Sequence, residues 1–318
     1  MTTSMNRRRN RAIIVGGLGL LVAVHGAGWL WAAGQMRLSV DQWVSDQRAA
    51  GMTVTHGDLS IRGYPFFLRA HAPDVSIAAA EGWRWSSGAL DIDLTPIAPT
   101  QLTFRPRGAQ QFYSEGTGAW AMDAQRMKVV LAWGGDLPWK MTSSVGGAQL
   151  SSRANEYEAT LQSLKFTAAP HPDNPEASDF VVRLDALSVE TERGVMDAPL
   201  LDTEITARLG EGDEALLLRR FNADVEGTNA VLSGELMIDA AGYARGVIDA
   251  DIEKPAGLAR VLGKLGALPV EDAALAEAGL AMASLAQGGR IQGPIVFADG
   301  AVSMAGVKLG EMAPVISR

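Results

Sequence analysis

The chain has 318 residues, of which 47% are hydrophobic and 20% charged, and its formal net charge is −8 at pH 7. This composition excludes low-complexity disorder, because it supplies enough apolar surface to offset the entropy of ordering the chain. The chain has no cysteine and only four histidines, which excludes disulfides and leaves few ligands for a transition metal. We therefore predict a globular protein with no cofactor and no metal centre.

The first predicted element is a transmembrane anchor at residues 12–34. This stretch carries no formal charge, and its one titratable side chain is His25. As a helix it would extend about 34 Å, which is enough to cross a hydrocarbon core of about 30 Å. Trp29 and Trp31 lie near its outer end, and tryptophan side chains of membrane proteins favour the headgroup layer.

The residues before the anchor predict its orientation. They include four arginines and no acidic residue, namely Arg7, Arg8, Arg9 and Arg11. The positive-inside rule therefore places residues 1–11 in the cytoplasm and residues 35–318 on the opposite side of the membrane. A cleaved signal peptide is the alternative, because residues 32–34 are small, as a signal peptidase requires. Both alternatives export the rest of the chain.

The exported part is acidic. The tail holds four of the 28 basic residues and none of the 36 acidic ones, which leaves 24 basic against 36 acidic residues and a net charge of −12. Nucleic-acid binding requires a basic surface. We therefore exclude nucleic acid as a partner of the exported part, and the predicted contact with the membrane rests on the anchor alone.

An amphipathic helix and a β-rich region follow the anchor. Residues 36–50 place apolar side chains along one helical stripe, and Gly51 ends the pattern. From residue 52 to about residue 231 apolar and polar side chains alternate in many segments, which indicates half-buried strands. The predicted fold class is mainly β with a few helices (α+β). In this prediction an N-terminal transmembrane helix precedes a large, curved antiparallel β-sheet domain.

A Pro-rich segment at residues 169–178 is the predicted linker or loop between two β-rich parts. The first part, residues 35–168, contains the amphipathic helix. The second part, residues 179–318, contains two further predicted helices, at residues 255–266 and 269–287. Each begins with a proline, which suits the first turn of a helix.

Two pairs of carboxylates are the only candidates for acid–base chemistry. Asp91 and Asp93 share one face of a predicted strand, as do Asp249 and Asp251, and such pairs can act as acid and base or hold calcium. Strand alternation instead predicts that both pairs lie on a solvent-exposed face. The sequence contains no phosphate-binding loop, zinc-binding helix or nucleophile elbow. We therefore predict no catalytic residue and no enzyme activity, and an anchored hydrolase is the third hypothesis.

Several short motifs resemble those of a known family. Residues 57–69 read Gly-Asp-Leu-Ser-Ile-Arg-Gly-Tyr-Pro-Phe-Phe-Leu-Arg, residues 232–236 read Leu-Ser-Gly-Glu-Leu, and residues 299–310 form a late Gly-rich strand segment. With the helix at Pro255, these motifs resemble the uncharacterised bacterial family called domain of unknown function 2125. The layout is similar, more distantly, to AsmA-like envelope proteins. That second resemblance implies an anchor in the bacterial inner membrane, with residues 35–318 in the periplasm, and a role in lipid movement or maintenance of the envelope. The inner membrane is therefore a predicted partner.

The first motif contains the candidate functional side chains, which are Tyr64, Phe66, Phe67 and Leu68. Gly63 and Pro65 permit a tight turn there, so these side chains form either the core of a hairpin or the aromatic lip of a lipid-sized groove. We expect a membrane-anchored periplasmic protein that binds or guides a phospholipid or another acyl lipid. The alternative is a structural or assembly scaffold that binds other envelope proteins.

Overall fold

The computed structural model describes residues 3–80, 82–95, 97–115, 118–134, 137–152, 157–208, 215–239, 242–265, 269–298, 300–304 and 307–311. Within these ranges, the side chains of residues 3–19, 270 and 307–311 are outside the description. The chain divides into two compact units, Met1–Glu115 and Gly116–Arg318. The predicted class, mainly β with antiparallel sheet and a few helices, is confirmed.

Helix α1 (Thr3–Ala49) opens unit 1 and joins the predicted anchor and the predicted amphipathic helix into one element of 47 residues. No proline interrupts it, and although each of its six glycines costs the helix about 1 kcal/mol, the other 41 residues favour one continuous element. The helix ends at Gly51, as predicted, where φ is 86° and the amides of Gly51 and Met52 bond to the carbonyls of Arg48 and Gln47. A glycine in this left-handed conformation is a common helix terminator.

The N-terminal predictions are only partly within the described residues. The side chains of Arg7, Arg8, Arg9 and Arg11, and of residues 12–19 in the predicted anchor, lie outside them. In the part of the chain that the structure describes, no helix combines the length and the apolar character that crossing a membrane requires.

The strands of unit 1 form an antiparallel sheet in the order β1, β3, β4, β5. Strand β2 also pairs with β3, at residues other than those that pair with β1. Their bounds are β1 Thr53–Thr55, β2 Ser60–Arg62, β3 Leu68–Ala78, β4 Arg84–Thr95 and β5 Ala98–Ser114. Val44 of α1 and Val54 of β1 are both buried, which shows that the predicted amphipathic stripe packs within its own unit.

The strands of unit 2 form an antiparallel meander in which each strand pairs with the next one along the chain. Their bounds are β6 Gly118–Trp133, β7 Trp139–Ser152, β8 Tyr157–His171, β9 Asn174–Thr191, β10 Gly194–Arg208, β11 Ala215–Val225, β12 Thr228–Ile238, β13 Ala244–Glu253, β14 Arg290–Ala298, β15 Ala301–Met304 and β16 Val307–Glu311. Most of these strands are longer than average strands of about 5–6 residues, because the alternating pattern continues without a breaker.

Helices α2 (Ala256–Lys264) and α3 (Val270–Leu285) lie between β13 and β14, where the sequence predicts two helices. Pro255 and Pro269 precede them as N-cap residues. The apolar stripe of α3 is exposed: Leu275, Met282 and Leu285 are 75%, 74% and 77% accessible. The helix buries Ala273 and Ser284 instead.

The Pro-rich segment at residues 169–178 is not a free linker. It forms the end of β8 and the start of β9, which pair across a two-residue turn at 172–173. A register shift follows Pro170, and proline is tolerated in strands at such irregularities and at strand ends. The two compact units divide after Glu115.

Candidate functional site

The register of unit 2 aligns apolar side chains from one strand to the next. Residues paired in register lie on the same face of an antiparallel sheet. One row crosses nine strands from β6 to β14 and contains Met127, Val145, Leu164, Leu184, Leu201, Ala223, Ala230, Ile252 and Ile291. A second row consists of Val129, Ser143, Phe166, Val182, Thr203, Phe221, Leu232, Ala250 and Gly293.

A third row extends the same pattern to β15. It contains Leu131, Met141, Ala168, Phe180, Ile205, Leu218, Gly234, Ile248, Ile295 and Met304. None of the residues in these three rows carries a charge. We call the surface formed by the three rows the apolar face.

The opposite face of the same strands is polar. One of its rows consists of Lys128, Ser144, Lys165, Arg183, Asp202, Asn222, Val231, Asp251 and Gln292. Five of these nine residues are charged. The sheet is therefore amphipathic across its whole width, because period-two alternation separates the two sets of side chains in every strand.

The phenylalanine, leucine and methionine side chains of the apolar face are only partly buried, whereas Val145, Ile248 and Ile252 of the same face are buried at 5%, 4% and 7% accessibility. Phe166, Phe180, Leu184 and Leu232 all keep part of their surface accessible. The largest fully buried side chains in the described residues are Gln110, Val54 and Pro255, none of which belongs to this face. In a filled core, leucine and phenylalanine are among the residues most often fully buried. The described residues thus bury part of the apolar face and leave its larger side chains partly uncovered.

Helix α2 is fixed at one end of these strands. Its last turn accepts a hydrogen bond at the Leu265 carbonyl from the Tyr157 hydroxyl (3.0 Å) and at the Lys264 carbonyl from Thr191 Oγ1 (2.9 Å). Lys264 Nζ pairs with Glu226 Oε1 at 3.0 Å. These partners all lie at one end of the strands: Tyr157 begins β8, Thr191 ends β9 and Glu226 directly follows β11. The helix pair therefore bounds that end of the strands.

Unit 1 contains a different arrangement, a charged ladder across three strands. Asp93 of β4 receives two hydrogen bonds from Arg69 of β3, at 2.6 and 2.9 Å, and also pairs with Arg105 of β5. Asp91 of β4 contacts His71 Nδ1 at 2.8 Å and Arg107 Nε at 3.1 Å. We call these six residues the ion-pair ladder.

The ladder corrects the prediction that Asp91 and Asp93 face solvent. Both are buried, at 6% and 7% accessibility, because basic side chains from the neighbouring strands cover them. Such partners are distant in sequence and cannot be identified from alternation alone. Asp249 and Asp251, in contrast, lie on the polar face as predicted, and Arg290 binds Asp251 with 3.1 and 2.7 Å hydrogen bonds.

The electrostatics of the ladder favour fixed charges. Burial alone would raise the pKa of Asp91, but hydrogen bonds from His71 and Arg107, with the charge of Arg69, lower this pKa below its ordinary value of 3.8. A general acid needs a raised pKa to hold a proton near neutral pH. The ladder therefore has the properties of a structural ion-pair network. Among the described residues there is also no group of three or more metal-ligating side chains.

The predicted aromatic residues lie beside helix α1 in a turn before β3. The Tyr64 ring contacts Trp29 edge-on, with centroids 5.6 Å apart, and His25 at 5.9 Å. The peptide bond between Tyr64 and Pro65 is cis. Trp29 Nε1 donates a 3.1 Å hydrogen bond to the Phe67 carbonyl. The structure therefore brings the candidate hairpin and the outer part of the predicted anchor together.

The four candidate side chains have different environments. Leu68 is buried at 6% and begins the core side of β3, whereas Phe67 is half buried under the Arg69 guanidinium, 5.2 Å from its ring centre. Tyr64 is 50% accessible and Phe66 is 79% accessible. The alternation of Phe66 with Leu68 suggests one shared face, but Phe66 precedes the strand and its side chain is exposed. Trp31 is also exposed, at 69%.

Comparison with protein families assigns the chain. Residues 29–313 match the model of a family described as "Uncharacterized protein conserved in bacteria (DUF2125)". The chain belongs to this family. The match includes the hairpin, unit 1 from residue 29 onward and almost all of unit 2, and it confirms the resemblance seen in the sequence motifs. No curated protein and no solved structure matches this DUF2125 chain, and the more distant AsmA-like resemblance stays a prediction.

Proposed function

We propose that this DUF2125 protein binds the acyl chains of a lipid along the apolar face of unit 2, and that it guides lipid in the bacterial envelope. The observation that carries this proposal is the uncharged face that crosses nine strands while its phenylalanine, leucine and methionine side chains stay partly accessible. A surface of this kind is exposed at a free-energy cost unless an apolar ligand or partner covers it.

The dimensions and energetics of the face suit an acyl chain. Neighbouring strands are about 4.8 Å apart, so nine strands extend about 38 Å along the sheet. The hydrocarbon of one bilayer leaflet is about 15 Å thick, half of a 30 Å core. Burial of ten methylenes contributes about 8 kcal/mol before the cost of association. Charged side chains on the opposite face make that side unsuitable for the same ligand.

The same proposal includes an N-terminal anchor at residues 12–34, with the two units in the periplasm. Its support is the uncharged sequence of that stretch and the four arginines before it. A ligand-binding sheet anchored beside a bilayer would exchange lipid with that bilayer. Phospholipid is the ligand class that such a location supplies.

Site-specific photo-crosslinking in the full chain tests lipid binding. Val231 and Leu232 are adjacent in β12 but lie on opposite faces, and Val231 is the more accessible at 45%. Cells would be grown with radioactive acetate, which labels the acyl chains of their lipids. A photoreactive amino acid at position 232 should form adducts with the labelled lipid, whereas the same amino acid at position 231 should form few lipid adducts. Equal labelling at both positions, or protein adducts alone at position 232, would contradict lipid binding.

The alternative function, a scaffold for envelope proteins, is favoured by one observation. Leu275, Met282 and Leu285 form an exposed apolar stripe on α3. A photoreactive group at position 282 that yields a discrete protein adduct, together with no lipid adduct at position 232, would make the scaffold the better explanation. The prediction that the protein is not an enzyme is independent of both outcomes.

A further inference from the structure

The turn Gly63–Phe67, which we call the aromatic hairpin, contacts α1 inside the range of the predicted anchor. His25 Nε2 donates a 2.9 Å hydrogen bond to the Pro65 carbonyl, and Trp29 donates to Phe67. Farther along the helix, Arg37 donates a 3.1 Å hydrogen bond to the Leu59 carbonyl. The chain from residue 59 to residue 65 therefore runs along α1 from outside the predicted anchor to a point within it.

The helix rise converts these contacts into depths. His25 is nine residues before Gly34, which corresponds to about 13 Å along the helix, and Trp29 is at about 7 Å. One leaflet contributes about 15 Å of hydrocarbon. If residues 12–34 span the bilayer, the tip of the aromatic hairpin lies at the depth of the outer leaflet.

The polar groups of the aromatic hairpin are compatible with an apolar environment. The amides of Phe66 and Phe67 both donate to the Gly63 carbonyl at 3.1 Å. The carbonyls of Pro65 and Phe67 accept the two bonds from α1. Backbone away from water requires such partners, and irregular backbone at membrane depth is tolerated where it packs on protein. Its contact with the helix also gives a hydrogen-bond partner to His25, the one titratable side chain of the stretch.

The side chains around the hairpin form an exposed apolar surface. Leu21, Val24, Leu30 and Trp31 of α1 are 69%, 63%, 68% and 69% accessible, and Phe66 of the hairpin is 79% accessible. Phe66 therefore adds an exposed aromatic side chain beside the exposed apolar side chains of α1. An exposed phenylalanine at the tip of a turn is suited to insertion among lipid tails.

We propose that the aromatic hairpin enters the outer leaflet beside α1, with Phe66 in contact with lipid acyl chains. This inference rests on the membrane anchor of the proposed function and adds a second, non-helical insertion to it. The hairpin fixes the rotation of α1 about its axis and holds unit 1 against the membrane surface.

The absence of cysteine from the sequence permits clean labelling of the full chain. Three single-cysteine variants, Phe66→Cys, Leu21→Cys and Ile97→Cys, would carry an environment-sensitive fluorophore in phosphatidylethanolamine–phosphatidylglycerol vesicles. All three positions are exposed, at 79%, 69% and 96%, so labelling should not disturb folding. Ile97 lies in the turn between β4 and β5 and is the matched control for an exposed apolar residue of unit 1.

We expect blue-shifted emission, quenched by lipids with a nitroxide on the acyl chain, at positions 66 and 21 but not at position 97. A water-like label at position 66 with a lipid-embedded label at position 21 would overturn this inference and leave the anchor intact. A water-like label at position 21 would overturn the anchor, and with it the inference. Lipid contact at all three positions would indicate non-specific adsorption and would also overturn the inference.

Discussion

A charge placed on the apolar face is the strongest test of the proposed lipid site. Leu232 of β12 lies in register between Phe221 and Ala250, in the second row of the face. The variant Leu232→Glu would put a carboxylate where the acyl chain is expected. Removing an ion from water costs several kcal/mol when burial is complete. Since position 232 is half buried, we use about 2–3 kcal/mol, which weakens binding about 30- to 150-fold.

The assay is lipid crosslinking from a photoreactive phenylalanine at position 221, which preserves the aromatic ring of Phe221. Leu232→Glu should reduce the yield of lipid adduct by at least tenfold at limiting lipid. The matched control Val231→Glu, on the opposite face, should leave the yield nearly unchanged, and urea unfolding would verify that both variants are folded. An unchanged yield in folded Leu232→Glu, or an equal loss in Val231→Glu, would refute the reasoning.

Three further predictions concern unit 1 and its ladder. Asp93→Ala should lower the free energy of unfolding in urea by about 2–3 kcal/mol, because it leaves the guanidinium groups of Arg69 and Arg105 without their carboxylate partner. The control Asp185→Ala removes a more exposed ion pair with Arg183 and should cost less than about 1 kcal/mol. Because the folded state lowers the pKa of Asp91, this carboxylate stabilises the protein above its ordinary pKa, and that stability is lost as the pH falls through the folded pKa. Asp91→Asn should therefore make the free energy of unfolding decline less steeply below about pH 4. An unchanged slope of the free energy of unfolding against pH would contradict this prediction. Gly63→Ala should destabilise by about 1–3 kcal/mol, because φ is 109° and a Cβ would lie 2.6 Å from the Phe67 carbonyl oxygen. The matched control is Gly28→Ala, which has open space around its Cβ and should not destabilise the protein. Thermal unfolding of both variants measures the difference, and an equal melting temperature for the two would contradict the prediction.

Local signals in the sequence were sufficient for several elements. Pro255 and Pro269 mark the starts of α2 and α3, because a proline at the beginning of a helix needs no amide partner. Gly51 marks the end of α1, because a left-handed residue terminates the hydrogen-bond ladder. The alternation in residues 90–94 identifies strand β4. Each of these features depends on a few neighbouring residues, so the sequence alone contains the necessary information.

Features that depend on distant partners were predicted less well. Alternation predicts that Asp91 and Asp93 of β4 face solvent, but basic side chains from the adjacent strands cover them: Arg69 and Arg105 cover Asp93, and His71 and Arg107 cover Asp91. The Pro-rich segment at residues 169–178 suggests a linker, yet pairing of β8 with β9 extends through it. Phe66 is two residues before Leu68, so alternation predicts that both lie on the same face, but Phe66 lies in the turn before β3. In the first two cases, contacts between distant segments outweigh the local preference of one segment, and in the third the strand begins only after Phe66.

The sequence by itself determines that each strand of unit 2 has one apolar and one polar side, because side chains alternate across a strand with period two. Whether these sides align depends on register, since a shift of one residue would reverse a strand. Only the tertiary structure shows that Phe221, Leu232 and Ala250 are neighbours in a continuous face. It also shows that this face is only partly covered, because burial depends on which other elements cover it and not on the residues that form it.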